Sequence, residues 1–341
     1  NFQLSTFNFQ LSTFNFQLSM HHCLIGIPSS GKSTFAARLA ALNDRTVIIC
    51  PDRIRGELYG DETIQGNWQE IEAVIIDRIQ TAIAAEQTIV YDATNTQRAW
   101  RLNFIEKAAN AVGKPLSWMG WYLTTPIRVC KAWNRQRQRQ VQEEVLDVMV
   151  EFLKTFPPDT AEGFIKLVEV DASKKSVSDR AIQQEIDRIR YSISSRKSRT
   201  SNYILHCYSR LLDFERLIHL ISLILAYPGL GNLQQTHPDR LESILGKTTQ
   251  FETDIAEISA VMAHLKGEVY ANPTAISADL DWLKLNGLIG TSNPDRLSVE
   301  LQIEQIDRKT FLANGYPCHR YSDLALFQPL VQLIRYLVHN P

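Results

Sequence analysis

Between residue 20 and about residue 171, short apolar runs alternate with stretches whose apolar residues recur every three or four positions. The runs 22–26, 46–50, 88–92, 116–122 and 166–170 are rich in Ile, Val and aromatic residues and predict strands. The periodic stretches 33–42, 68–84 and 96–111 between them predict helices. Strands that alternate with helices predict an α/β unit, a parallel sheet sandwiched by helices. Ligands of such sheets bind beyond the carboxyl ends of the strands. Three predicted strands end there in suggestive residues: a glycine-rich loop after 22–26, Pro51-Asp52, and Asp92.

The pattern then changes. Residues 174–200 hold eight Lys or Arg against three Asp or Glu, and Ser194 to Ser201 lacks apolar periodicity, so 173–202 reads as a basic helix and linker. Such a run is either a solvated face or a nucleic-acid contact. From 203 to 341 the pattern is mainly helical, with helices expected over 204–226, 238–245 and 252–265. Thr274 can cap a further helix in which Ile276, Leu280 and Leu283 face one way, stopped by Asn286-Gly287. Leu288-Ile289 and Leu297–Leu301 can pair around Ser292-Asn293-Pro294-Asp295 as a two-stranded wing. The region therefore reads as a mainly α, winged-helix-like domain, with a helical interaction domain carrying a hairpin as the alternative. The last 21 residues read as a packing or dimerising helix, so a homodimer is among the expected assemblies.

Residues 1–19 stand apart. NFQLSTF occurs twice in tandem, followed by a truncated copy before Met20. The seven-nucleotide unit AACTTTC, read through three times, encodes that heptapeptide, so the segment is expected to be translated repeat DNA or a disordered leader, with translation beginning at Met20. The remaining bounds are the expected domains: 20–172, 173–202 and 203–341.

Composition narrows the picture only slightly. The 341 residues carry a net charge of −1, which gives no global signal for nucleic acid or membrane. The longest apolar stretch, 217–227, is too short to span a bilayer, and no membrane partner is expected. Five scattered cysteines without a Cys-x-x-Cys pair fit a reducing, cytoplasmic setting. His206-Cys207 and Cys318-His319 have no spaced further ligands and are expected to be packing residues.

The chemistry concentrates in the first unit. Gly26-Ile-Pro28-Ser29-Ser30-Gly31-Lys32-Ser33-Thr34 satisfies the phosphate-loop pattern G-x-x-x-x-G-K-[ST] in full. Its glycines let backbone N–H groups turn inward on phosphate oxygens, and the helix beginning near Ser33 adds partial positive charge there. Lys32 is expected on the β- and γ-phosphates and Ser33 on Mg²⁺, making ATP and Mg²⁺ the cofactors. Asp92 is followed by Ala93-Thr94-Asn95 with no adjacent Glu. It can hold the metal, but nothing obvious positions a hydrolytic water, so a substrate hydroxyl is the expected nucleophile. Asp52 can accept that proton, and Arg55, three residues on, can fork onto a phosphate. A helix cap at Asp52 with a surface Arg55 is the compatible alternative. Downstream, Trp133-Asn-Arg135-Gln-Arg137-Gln-Arg139 supplies arginines that can close over transferring oxygens. On a continuous helix Arg128, Arg135 and Arg139 would share a face and Arg137 would point away.

Taken together, GIPSSGKST, the Asp52-x-x-Arg55 pair, Asp92-Ala-Thr-Asn95, Arg98, Arg101, the arginine lid and Ala161-Glu-Gly-Phe164 resemble the P-loop kinases of the polynucleotide kinase type. The resemblance covers about residues 20–171. It implies Asp52 as general base, Arg55 on the phosphate beside a 5′-hydroxyl, and Asp92 at the acceptor and metal site, with Asn95 and Arg101 as further substrate residues. Aligned on Asn134 and Val141, it makes Arg137 the γ-phosphate contact, with Arg135 and Arg139 as neighbours. Trp133 departs from the family, which often has arginine there. The acceptor implied is an RNA or DNA 5′-hydroxyl end. A small-molecule P-loop kinase, and an ATP-sensing regulator that binds duplex DNA through its C-terminal domain without turnover, remain open.

Overall fold

The computed structural model describes residues 20–174, 178–195, 204–290 and 300–340; the leader segment 1–19 lies outside these residues. Five strands, β1 (Met20–Ile25), β2 (Thr46–Ile49), β3 (Thr88–Tyr91), β4 (Ser117–Leu123) and β5 (Phe164–Val170), form one parallel sheet in the order β2-β3-β1-β4-β5. β1 is central and buried at all six positions, as expected of a parallel strand covered on both faces. Its two histidines are tolerated there because each ring nitrogen Nδ1 accepts a hydrogen bond. His21 takes one from the Ile89 N–H (3.2 Å) and His22 one from Trp121 Nε1 (3.1 Å).

Helices α1 (Lys32–Ala41), α2 (Pro51–Tyr59), α3 (Trp68–Ala84), α4 (Arg98–Val112), α5 (Ile127–Arg135) and α6 (Glu143–Thr155) connect the strands. α3 shows the cause most simply: Asn67 caps it by accepting from the Gln69 N–H, and Ile71, Ile75 and Ile79 recur at helical spacing on its buried side. These isoleucines pack on one sheet face with Ile54 of α2, Phe104 of α4 and Leu153 of α6. The other face is covered by Phe35 and Leu39 of α1 together with Ile182, Ile186 and Ile189 of α7 (Asp179–Ser195). The expected boundary at 172 is thereby corrected. The basic segment's helix is amphipathic, and its isoleucine stripe makes it the second layer of the sheet domain, tied down by Arg38–Asp179 at 2.7 Å.

The C-terminal region is mainly helical, comprising β6 (Leu205–His206), α8 (Leu211–Ala226), α9 (Leu233–Thr236), α10 (Pro238–Leu245), α11 (Asp254–Leu265), α12 (Pro273–Leu285), β7 (Gln305–Ile306), α13 (Arg308–Ala313) and α14 (Leu324–His339). Its core, with Leu217, Leu220, Met262, Leu283 and Phe327, also takes in Leu102 of α4, so it packs directly on the sheet domain.

A repeated tetrad organises it. His206-Cys-Tyr208-Ser209 and His319-Arg-Tyr321-Ser322 precede α8 and α14 and clasp each other reciprocally. Each histidine Nδ1 accepts from the tyrosine N–H two residues on, and each Nε2 meets the other segment's tyrosine carbonyl, at 2.6 and 2.8 Å. The two serine hydroxyls donate to each other's backbone carbonyls, at 2.9 and 2.8 Å. The packing role expected for these histidines is what the geometry displays.

The wing is only partly within view. α12 runs as expected, but Asn272 caps it and Pro273 opens it, rather than Thr274. Leu288-Ile289 form a bend and no strand, because Leu288 turns into the core and Asn286 binds the Gln302 backbone. The turn 292–295 lies outside the described residues, as does most of the second wing strand.

Candidate active site

β1 lies between β3 and β4, and its carboxyl end opens into the glycine loop. That loop can form only with its glycines. A Cβ on Gly26 would stand 2.8 Å from Ser30 Oγ, and one on Gly31 would stand 2.9 Å from Ala172 Cβ. Gly31 also holds φ 93°, and Ser29 accepts the left-handed region at φ 60°. Thr125 fixes the loop from β4's exit, its Oγ1 donating to the Ser30 carbonyl (2.9 Å) and accepting from the Ala172 N–H (3.1 Å).

Lys32 begins α1, is buried, and donates from Nζ to the Ile27 carbonyl at 2.6 Å. Burial lowers its ammonium to about 8, against the upward pull of Asp92. Asp92, at the end of β3, accepts a hydrogen bond from the Ser33 side chain. Burial holds its carboxyl above the usual range, opposed by Ser33 and Lys32. Ser33 and Asp92 are therefore adjacent oxygen donors beside the phosphate loop, a set that suits a hard divalent cation such as Mg²⁺. The glycine cradle with its buried lysine suits a polyphosphate. Pro28 and Thr34 flank these residues in the same loop and first helical turn.

Asp52 stands at the start of α2, after the β2 strand, with Cys50 at the N-cap position and Pro51 at N1. Its half-exposed carboxylate meets Arg55 Nη1 at 2.6 Å and Arg139 Nη1 at 3.5 Å. Arg137, two residues before Arg139, donates to Ser29 Oγ at 3.3 Å. One short segment thus spans from the phosphate loop to Asp52.

The lid is not a continuous helix. α5 ends at Arg135, and the chain loops back with the buried Asn134 amide pairing both backbone groups of Val141, at 2.7 and 3.0 Å. This break lets Arg137 and Arg139 share the cleft, contrary to the helical periodicity. Arg135 is not brought in: it is held by Glu143 at 2.7 Å, a correction to its expected cofactor role.

Two further expectations are corrected. Arg101 is fully buried and its five N–H groups are committed: to Glu162 through Nε and Nη2 (2.5 and 2.8 Å), and to the carbonyls of Asn95, Thr96 and Phe156 (3.0, 3.1 and 3.0 Å). Asn95 is buried at φ 49° with its amide nitrogen on the Leu24 carbonyl at 2.7 Å. Neither side chain is directed to a substrate; both hold the loop that follows Asp92. Burial raises the Glu162 carboxyl, against Arg101 and Arg98. Arg98 carries the network outward to Glu215 of α8 at 2.6 Å, and the Tyr270 hydroxyl donates to that same carboxylate at 2.6 Å.

Three residues that shape the site were not among those expected to act there. Thr125 and Asn134 act through backbone partners 47 and 7 residues away. Trp133 lies against the phosphate loop, its ring 3.8 Å from where a Gly31 Cβ would be.

Residues 22–156 match a family model described as an AAA domain. That segment spans the phosphate loop, Asp52, Asp92 and the arginine lid. No curated protein matches the chain. Among solved structures the chain is similar to one of the Pnkp1/Rnl/Hen1 RNA repair complex, at 17% identity over 40% of this chain and 45% of that one, with TM-score 0.36. It is also similar to a gluconokinase from Sinorhizobium meliloti 1021, at 17% identity over 53% and 99% of the two chains, TM-score 0.35. A fungal RNA kinase is 16% identical over 54% and 92%, TM-score 0.32. The match thus spans less than half the length of the RNA repair chain. Among the described residues no helix is long and apolar enough to cross a membrane.

Proposed function

We propose that the sheet domain transfers the γ-phosphoryl group of ATP, with Mg²⁺, to a hydroxyl acceptor, and that this acceptor is the 5′-hydroxyl end of a nucleic acid. The observation that carries the reading is the lid segment joining Ser29 of the phosphate loop to Asp52 through Arg137 and Arg139. A carboxylate so placed beside a phosphate cradle suits proton abstraction better than nucleotide sensing.

When bound, ATP supplies the phosphoryl group and Mg²⁺ offsets the charge on its oxygens. Lys32 and the loop N–H groups would hold the phosphates, and Ser33 and Asp92 would hold the metal. Arg137 would bring positive charge over the oxygens where negative charge develops. Asp52 takes the acceptor hydroxyl's proton on its carboxylate. Arg55 and Arg139 both engage that carboxylate. An acceptor bearing a phosphate would compete for the two guanidiniums and free a carboxylate oxygen, which favours a nucleotide end over a neutral small alcohol.

The test is an acceptor screen with γ-labelled ATP and Mg²⁺, offering 5′-hydroxyl RNA, 5′-hydroxyl DNA and a metabolite extract in parallel. Label at an oligonucleotide 5′ end is the expected result. Label only in a metabolite would move the acceptor to a small molecule. No label anywhere, with ATP-dependent binding to duplex DNA, would overturn the kinase reading.

A further inference from the structure

α14 buries Phe327, Val331 and Arg335 on one face, yet its neighbouring face is also apolar. Leu326, Leu333 and Leu337 are 53–55% exposed and, with Leu330, fall at spacings of four, three and four residues, which is one stripe along the helix. Tyr336, equally exposed, widens it. A helix apolar over this much of its circumference is ordinarily covered.

Beside the stripe runs an open groove of about 510 Å³ between α8 and α14, lined by Ile218, Ile221, Ser222, Leu225, Ala226 and Ile334. Leu225 on its rim is 54% exposed. Ile334 lines the groove one helical turn after Leu330 of the stripe, so ridge and groove are contiguous.

We propose that this face binds a second copy of the chain, with the leucine ridge of each α14 seated in the α8–α14 groove of the other about a two-fold axis. Three features select this occupant. A ridge and a complementary groove side by side on one surface satisfy the self-complementarity of a two-fold interface. No side chain of the ridge or groove is charged, matching the charge depletion of homodimer interface cores. Leu225, Leu326, Leu333, Tyr336 and Leu337, each more than half exposed, offer on the order of 500 Å² of mostly apolar surface, at the upper end for a monomer. With a polar rim that reaches the scale of the roughly 800 Å² per partner of a stable interface. A lipid surface fits less well, because the polar side of α14 carries Gln328, Gln332 and His339 and no lysine.

The experiment is sedimentation velocity on the full chain at micromolar concentrations, for wild type and Leu333→Glu, with vesicle flotation on anionic phospholipid alongside. Leu333 is over half exposed, so its replacement should leave the far-ultraviolet circular-dichroism spectrum unchanged; Gln332→Glu controls for added charge off the ridge. Wild type and Gln332→Glu should sediment as two chains, and Leu333→Glu should self-associate roughly 30-fold or more weakly, the effect of losing one interface hot spot. A single-chain mass for wild type, or an undiminished dimer in Leu333→Glu, overturns the proposal. Flotation of a monomeric wild type would assign the face to lipid instead.

Discussion

Lys32 is buried with its ammonium lowered to about 8, and its Nζ donates to the Ile27 carbonyl. A polyphosphate drawn into the cradle would favour the charged form and raise that value. Nucleotide binding between about pH 8 and 9 should therefore take up protons. Calorimetry in two buffers of different ionisation enthalpy should show up to about one proton gained per nucleotide bound at that pH. The gain should fade below pH 7, where the lysine is already charged. Identical heats in both buffers at pH 8.5 would place the lysine away from the phosphates. At this scale the loop, Asp52 and Asp92 were legible as candidates, because each follows a strand end. Arg101 and Asn95 were misassigned, because their roles depend on distant partners. Glu162 lies 61 residues from Arg101, and Leu24 lies 71 residues from Asn95. A polar residue near a motif looks alike whether it faces a ligand or buttresses the loop.

Among the elements, the strands were legible because continuous apolar runs are what a doubly covered parallel sheet demands. α3 was legible because its cap and isoleucine spacing agree. The lid was not, because Asn134 ends the helix through a side-chain clamp on Val141 that periodicity does not register. At Leu288-Ile289 the chain bends, with Leu288 buried and Asn286 clamped on the Gln302 backbone, a side-chain contact that an apolar pair in the sequence does not announce. The His-x-Tyr-Ser clasp carries a prediction of its own. Burial lowers His206 to about 4 from its ordinary 6.5, with His319 also lowered by burial. The folded state thus prefers the neutral rings. As pH falls through 6.5 the unfolded chain gains the proton first, so stability present above 6.5 is lost progressively down to about 4. Thermal midpoints should fall by several degrees over that window. In His206→Asn, which keeps an acceptor for the Tyr208 N–H, the fall should be shallower. An unchanged acid limb in the variant would show that the clasp histidine does not titrate with unfolding.

Across the whole molecule, the sheet domain and the helical region are packed as neighbours. Leu102 joins the C-terminal core, and Arg98 connects Glu162, beneath the Asp92 loop, with Glu215 of α8. Composition could not reveal this, since a near-neutral chain says nothing of how its halves meet. The account rests on Asp52 serving as the base across the cleft from the phosphate loop. The most direct measurement is single-turnover transfer from γ-labelled ATP to the acceptor found by the screen, comparing wild type with Asp52→Asn at saturating nucleotide. Transfer should fall by about 100-fold or more while nucleotide affinity stays within about threefold. Transfer by Asp52→Asn at the wild-type rate would contradict the account.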